Sequence, residues 1–151
     1  MRRLSPLLHA PRWLPRALTA GLAAALLMVG AGSSWAGVVV IAHPGMRKLD
    51  LQTVQRIFTG KVVEVGGVAV VPINAPPGQA LRNRFLAEYL DQNEESYVAY
   101  WTVRRYVGKG APPRELSPVS EVINRVGNTP GAIAYVDEAD VTSVMNVVLR
   151  K

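Results

Sequence analysis

Residues 37–42 read Gly-Val-Val-Val-Ile-Ala, a run with no polar side chain and no alternation. A strand with one wet face alternates apolar and polar residues, whereas a continuous β-branched run reads as a strand buried on both faces. Such a strand needs cover above and below it. The rest of the chain supplies that cover in pieces that alternate with further strand-like runs. "LDLQTVQRIFTG" (49–60) predicts a short helix, with Asp50 as N-cap and Leu49 and Val54 spaced for a hydrophobic staple. Leu51, Val54, Ile57 and Phe58 form its apolar face, and Gly60 suits its end. "KVVEVGGVAVVPIN" (61–74) holds two β-rich pieces around Gly66-Gly67. It reads either as a tight hairpin or as a loop leading into one strand, Val68 to Ile73.

Leu81, Phe85 and Tyr89 recur at four-residue spacing with Leu86 and Leu90 beside them, predicting a helix from about Gln79 to Leu90. Asn93 caps a third helix, with Glu94 and Glu95 in its first turn as the dipole prefers. That helix carries Tyr97, Tyr100, Trp101 and Tyr106 and stops at Gly108; "KGAPPREL" follows as a loop. Ser117 is the expected cap of a fourth helix with Pro118 at its first position. Its expected stripe is Val119, Val122, Ile123 and Val126, ended by Gly127. "GAIAYV" is a strand, "DEAD" an acidic turn and "VMNVVL" a last strand. The order β-α-β-α-α-α-β-β predicts an α/β fold, a mostly parallel sheet flanked by helices. Ligands of such folds gather at the carboxyl ends of strands and the helix starts that follow.

The first 36 residues stand apart. Arg2, Arg3, Arg12 and Arg16 occur there without a single acid. An apolar stretch from Ala17 to Gly30 follows, and Ser34 and Ala36 are spaced like a cleavage site. This is the plan of a secretory signal peptide, with Gly37 as the expected mature start and the periplasm as the expected location. The stretch is shorter than the roughly 20 residues needed to span a bilayer. Whether the Sec or the twin-arginine route exports the chain stays open. Without this leader 13 basic residues face 11 acidic ones, so the formal charge of +6 falls to +2. The basic balance thus belongs largely to the leader, and nucleic acid is not an expected partner. Residues 37–151 form one expected domain, without cysteine, so packing alone must hold it.

Little in that domain suggests catalysis. It has one histidine, His43, no cysteine, and no serine in a nucleophile-elbow pattern. No cofactor or metal site is expected; Asp137, Glu138 and Asp140 lack the length and glycine placement of a calcium loop. His43 closes the first strand, where a ligand contact is one reading and a structural role the other. "NAPPGQALRNRF" (74–85) is more informative. Arginines sit near a helix start, where dipoles ordinarily attract acids. Free backbone N–H groups after a Pro-Pro-Gly turn, a helix dipole and a guanidinium together make an anion site. Solvent-exposed arginines are the plainer alternative.

"LQTVQRIFTGK", "VVPIN", "LRNRFLAEYL", "YVAYWTVRRYVGKGAPPRE" and "VINRVGNTPGAIAYV", in that order, resemble the phosphate-type periplasmic substrate-binding proteins of ABC transporters. The resemblance spans nearly all of residues 37–151. It implies one lobe of a type II periplasmic-binding-protein fold, where larger members have two lobes that close on the ligand. It implies non-enzymatic binding of phosphate or a similar oxyanion, at Gln79, Ala80, Leu81 and Arg82. Larger members commonly place Ser-Gly-Thr where Gln79, Ala80 and Leu81 stand here, so backbone N–H groups and Arg82 are left to hold the anion. Two readings stay open: an oxyanion-binding protein associated with a transporter, or an interaction or sensing module that keeps the lobe, has lost its ligand and acts through a partner protein. A homodimer is a further option for a lone lobe.

Overall fold

The computed structural model describes residues 37–151, so the expected leader and its cleavage site lie outside the described residues. No helix among the described residues is long and apolar enough to cross a membrane. The chain runs β1 (Val38–Ala42), α1 (Leu51–Phe58), β2 (Glu64–Val65), β3 (Val68–Ala69), β4 (Val71–Asn74), α2 (Ala80–Leu90), α3 (Glu94–Tyr106), β5 (Arg114–Glu115), α4 (Val119–Asn128), β6 (Ala132–Asp137) and β7 (Asn146–Arg150), with a 3-10 turn at Glu138–Asp140.

Five strands form one sheet in the order β5-β4-β6-β1-β7. β4 pairs in parallel with β5 and β6, while β1 pairs antiparallel with both β6 and β7. Four strands therefore point one way and β1 opposes them, which makes the sheet mostly parallel in direction. The β1 side chains divide as a strand covered on both sides must. Val38, Val40 and Ala42 enter a core beneath α1, α2 and α3; Val39 and Ile41 enter a second core beneath α4.

Local signals set most element ends. Asp50 accepts the Thr53 N–H and Asn93 accepts the Ser96 N–H, each as an N-cap. The glycine pair makes a hairpin of β2 and β3, both glycines having positive φ, and β4 follows as a separate strand. Ser117 is not the cap of α4. Pro118 occupies that position without a side-chain capping bond, and Gly127 lies inside the helix, which runs on to Asn128. Val122 and Val126 are buried there, while Val119 is exposed. Within the expected loop, Arg114 and Glu115 pair with Ile73 and Asn74. Gly131 has φ 77°, and a Cβ there would lie 1.9 Å from the Ala69 carbonyl oxygen. Only glycine lets the hairpin pass that close to the start of β6.

Candidate functional site

β4, β5 and β6 end on the same edge of the sheet, at Asn74, Glu115 and Asp137. Pro76, Pro77 and Gly78 turn the chain from β4 into α2. Gly78 has φ 84°, and Gln79 is the extended N-cap. Gln79 makes no side-chain capping bond, and the first turn of α2 holds no acid. The first N–H groups of a helix have no intrahelical acceptor, so they meet solvent or a ligand here. Gln79 and Ala80 are exposed, whereas Leu81 is half-buried and packs against the core.

Arg82 turns inward and is 3% exposed. Its guanidinium grips Glu94 bidentately, Nε to Oε2 at 2.7 Å and Nη2 to Oε1 at 2.8 Å. Nη1 donates to the Ala75 carbonyl at 2.9 Å and to Glu115 Oε1 at 3.1 Å. The Tyr97 ring lies 5.6 Å from the guanidinium carbon. Burial works against the arginine's charge, but the Glu94 carboxylate outweighs it and holds the pKa above its ordinary value. One cation thus sits between two carboxylates, so the guanidinium lends the corner no surplus positive charge. It ties β4, α2, α3 and β5 together.

Beneath this clamp lies a buried polar network. Asn74 Nδ2 donates to the Tyr97 hydroxyl at 3.1 Å, which donates to the Phe58 carbonyl at 3.0 Å. The Tyr135 hydroxyl donates to Asn74 Oδ1 at 3.2 Å and accepts the Ala75 N–H at 3.0 Å. Burial pushes both phenols above their ordinary range, so each stays a neutral donor. These bonds fix the backbone that leads into the Pro-Pro-Gly turn.

The structure does not bring His43 to this corner. β1 runs against β6, so its last residues lie beside the start of β6, and His43 N–H donates to the Ala132 carbonyl at 2.9 Å. The side-chain Nδ1 accepts the Gly45 N–H at 3.2 Å, so the histidine serves a turn at the far end of the sheet. Arg84 pairs with Asp137 at the end of β6. Glu138 pairs with Arg150 at 3.2 Å. Among the described residues no cluster of histidine, cysteine or carboxylates could hold a metal ion.

Sequence reasoning missed Glu94, Glu115, Asn74, Tyr97 and Tyr135 as members of this corner. Glu94 read as a dipole charge and Tyr97 as one of the aromatics the third helix carries; Glu94 does open α3, and Tyr97 is buried on it. Their second role depends on contacts 12 and 23 positions away.

No protein-family model matches the chain, and no curated protein matches it in sequence. Solved structures do. An ABC-type phosphate transport receptor from Vibrio cholerae is similar at TM-score 0.52 and 12% identity, over 74% of this chain and 45% of the receptor. A protein from Clostridium perfringens, assigned as a phosphate ABC transporter substrate-binding protein and solved with bound phosphate, is similar at TM-score 0.58 and 17% identity. There the match covers 74% of this chain and 44% of the other. The chain thus spans less than half the length of the proteins it matches, and it has the fold of a single lobe of such a phosphate-receptor structure.

Proposed function

We propose that this chain is an exported, non-enzymatic binding lobe of the phosphate-receptor kind, working beside a membrane transporter in the periplasm. The observation that carries the proposal is the uncapped, acid-free start of α2 at the carboxyl end of β4. A small oxyanion such as phosphate would be held there by the backbone N–H groups of Ala80, Leu81 and Arg82, with Gln79 as a neighbouring donor. Arg82 would contribute position rather than charge, because Glu94 and Glu115 already occupy its donors. His43 has no part in this site.

That occupancy of Arg82 also favours a second reading: a module that keeps the lobe, has lost its ligand and acts by docking on a transporter subunit or sensor. Calorimetric titration with inorganic phosphate and then sulfate separates the two. Oxyanion binding predicts a saturable heat that Ala80→Pro weakens. Proline is tolerated at a first helical position, so this change removes one donor N–H and keeps the helix. No heat from either anion at millimolar concentration, in protein shown to be folded, rejects the oxyanion site and leaves the docking module.

A further inference from the structure

α3 has two apolar sides. Tyr97 and Trp101 face the core. On the outward side, at helical spacing, stand Val98, Ala99, Thr102, Val103 and Tyr106. Val103 is 63% and Tyr106 92% exposed. A helix facing water ordinarily presents charge there. Beside this stripe opens a groove of about 520 Å³, bounded by Pro77 and Pro112, floored by Trp101 and reaching Arg82 and Glu115. Single exposed apolar residues need no explanation, but a contiguous stripe beside a groove marks an interaction surface.

We propose that the occupant is a second copy of this chain, with α3 packed antiparallel against α3 about a two-fold axis. Charge on the helix argues for this partner. Acids Glu94 and Glu95 fill the first turn and bases Arg104 and Arg105 the last. Glu94 is committed to Arg82, and Arg104 to the carbonyls of Gly60 and Lys109. Glu95 and Arg105 stay exposed and make no ion pair among the described residues. In an antiparallel pair centred near Tyr100, Glu95 of one copy meets Arg105 of its partner, and the symmetry makes that contact twice. A parallel pair would set Glu95 on Glu95. The 13 residues of α3 give a seam about 20 Å long. Tyr106, large and exposed, enters the partner's groove as the anchor, in keeping with the weight of buried tyrosines at interfaces. Its seat there also roofs the flank of the Arg82 corner. This inference does not depend on whether the α2 start takes an oxyanion.

Sedimentation equilibrium over a concentration series tests it on the purified protein and four variants. The parent is expected to dimerise and Tyr106→Glu to be monomeric. Glu95→Arg and Arg105→Glu should each raise the dissociation constant roughly ten-fold, because each puts like charges together twice. The double variant Glu95→Arg/Arg105→Glu should recover most of that loss. All three positions are exposed, so circular dichroism should match the parent. Association through the N-terminal leader would respond to none of these changes. A parent that stays monomeric at every concentration overturns the proposal and points to an unlike protein on this face. A dimer that Tyr106→Glu leaves intact, or a double variant no tighter than the singles, overturns it as well.

Discussion

The sheet has two coats of different material. Under α1, α2 and α3 lie all the buried aromatic side chains of the described residues, Phe58, Phe85, Tyr89, Tyr97, Trp101 and Tyr135, set among aliphatic ones such as Val40, Val54 and Ile133. Under α4 the core is aliphatic: Val39, Ile41, Ile73, Val122, Val126, Ala134 and Val136. Aliphatic burial is non-directional and holds a layer down without fixing angles. Tyrosines add directional tips, and on the aromatic side those tips bond Asn74, Ala75 and Phe58. The corner at the α2 start is therefore positioned from the aromatic side. The aliphatic side supplies cover.

The sharpest way to break this asymmetry is Phe85→Ala. Phe85 stacks on Tyr135 with ring centroids 3.8 Å apart and meets Phe58 edge-on at 4.7 Å. Its loss should cost about 3–5 kcal/mol of unfolding free energy, the range for a large aromatic removed from a core. On the other side Val126→Ala removes two methyl groups and should cost only about 2 kcal/mol. Urea midpoints at an unchanged m-value measure both. Equal losses on the two sides would show that the aromatic coat has no special standing.

Arg82 comes next. Arg82→Met should cost roughly 3 kcal/mol, because it leaves Glu94 and Glu115 facing each other without a cation. Arg82→Lys should recover little of this, since an ammonium cannot reproduce the bidentate grip on Glu94. Full recovery by lysine, read from the same urea curves, would mean that charge alone matters there and the fork does not.

Much of the fold was legible because it is locally encoded. The Asp50 and Asn93 caps, the apolar face of α1 and the unbroken run of β1 all act within a few residues of themselves. The direction of β1 was not legible, because Val-Val-Val-Ile-Ala buries both faces equally well whichever way it runs. That direction decides where His43 goes, so the histidine could not be placed from its position at a strand end. Arg82 was legible as unusual, since arginine opposes the dipole at a helix start. Its partners were not, because Glu94 and Glu115 arrive from α3 and β5, 12 and 33 residues along the chain. Ser117 shows the opposite failure: a good cap residue by type, displaced by one position because Pro118 took the site.

The last difference between the coats has no effect at neutral pH and grows only in alkali. Burial raises the phenol pKa of Tyr89, Tyr97 and Tyr135 above the ordinary value of 10.0. The unfolded chain therefore gives up these protons first. Stability is intact below pH 10 and falls as pH rises from there toward the folded values. The aliphatic coat has no group that titrates there. Urea midpoints on either side of pH 10, followed with tyrosinate absorbance, should show unfolding and ionisation moving together. Val126→Ala should lower stability equally at both pH values. Tyr135→Phe should start lower, having lost its bonds to Asn74 and Ala75, yet decline less steeply in alkali. If Tyr135→Phe declines as steeply as the parent, the alkaline loss does not come from the aromatic coat.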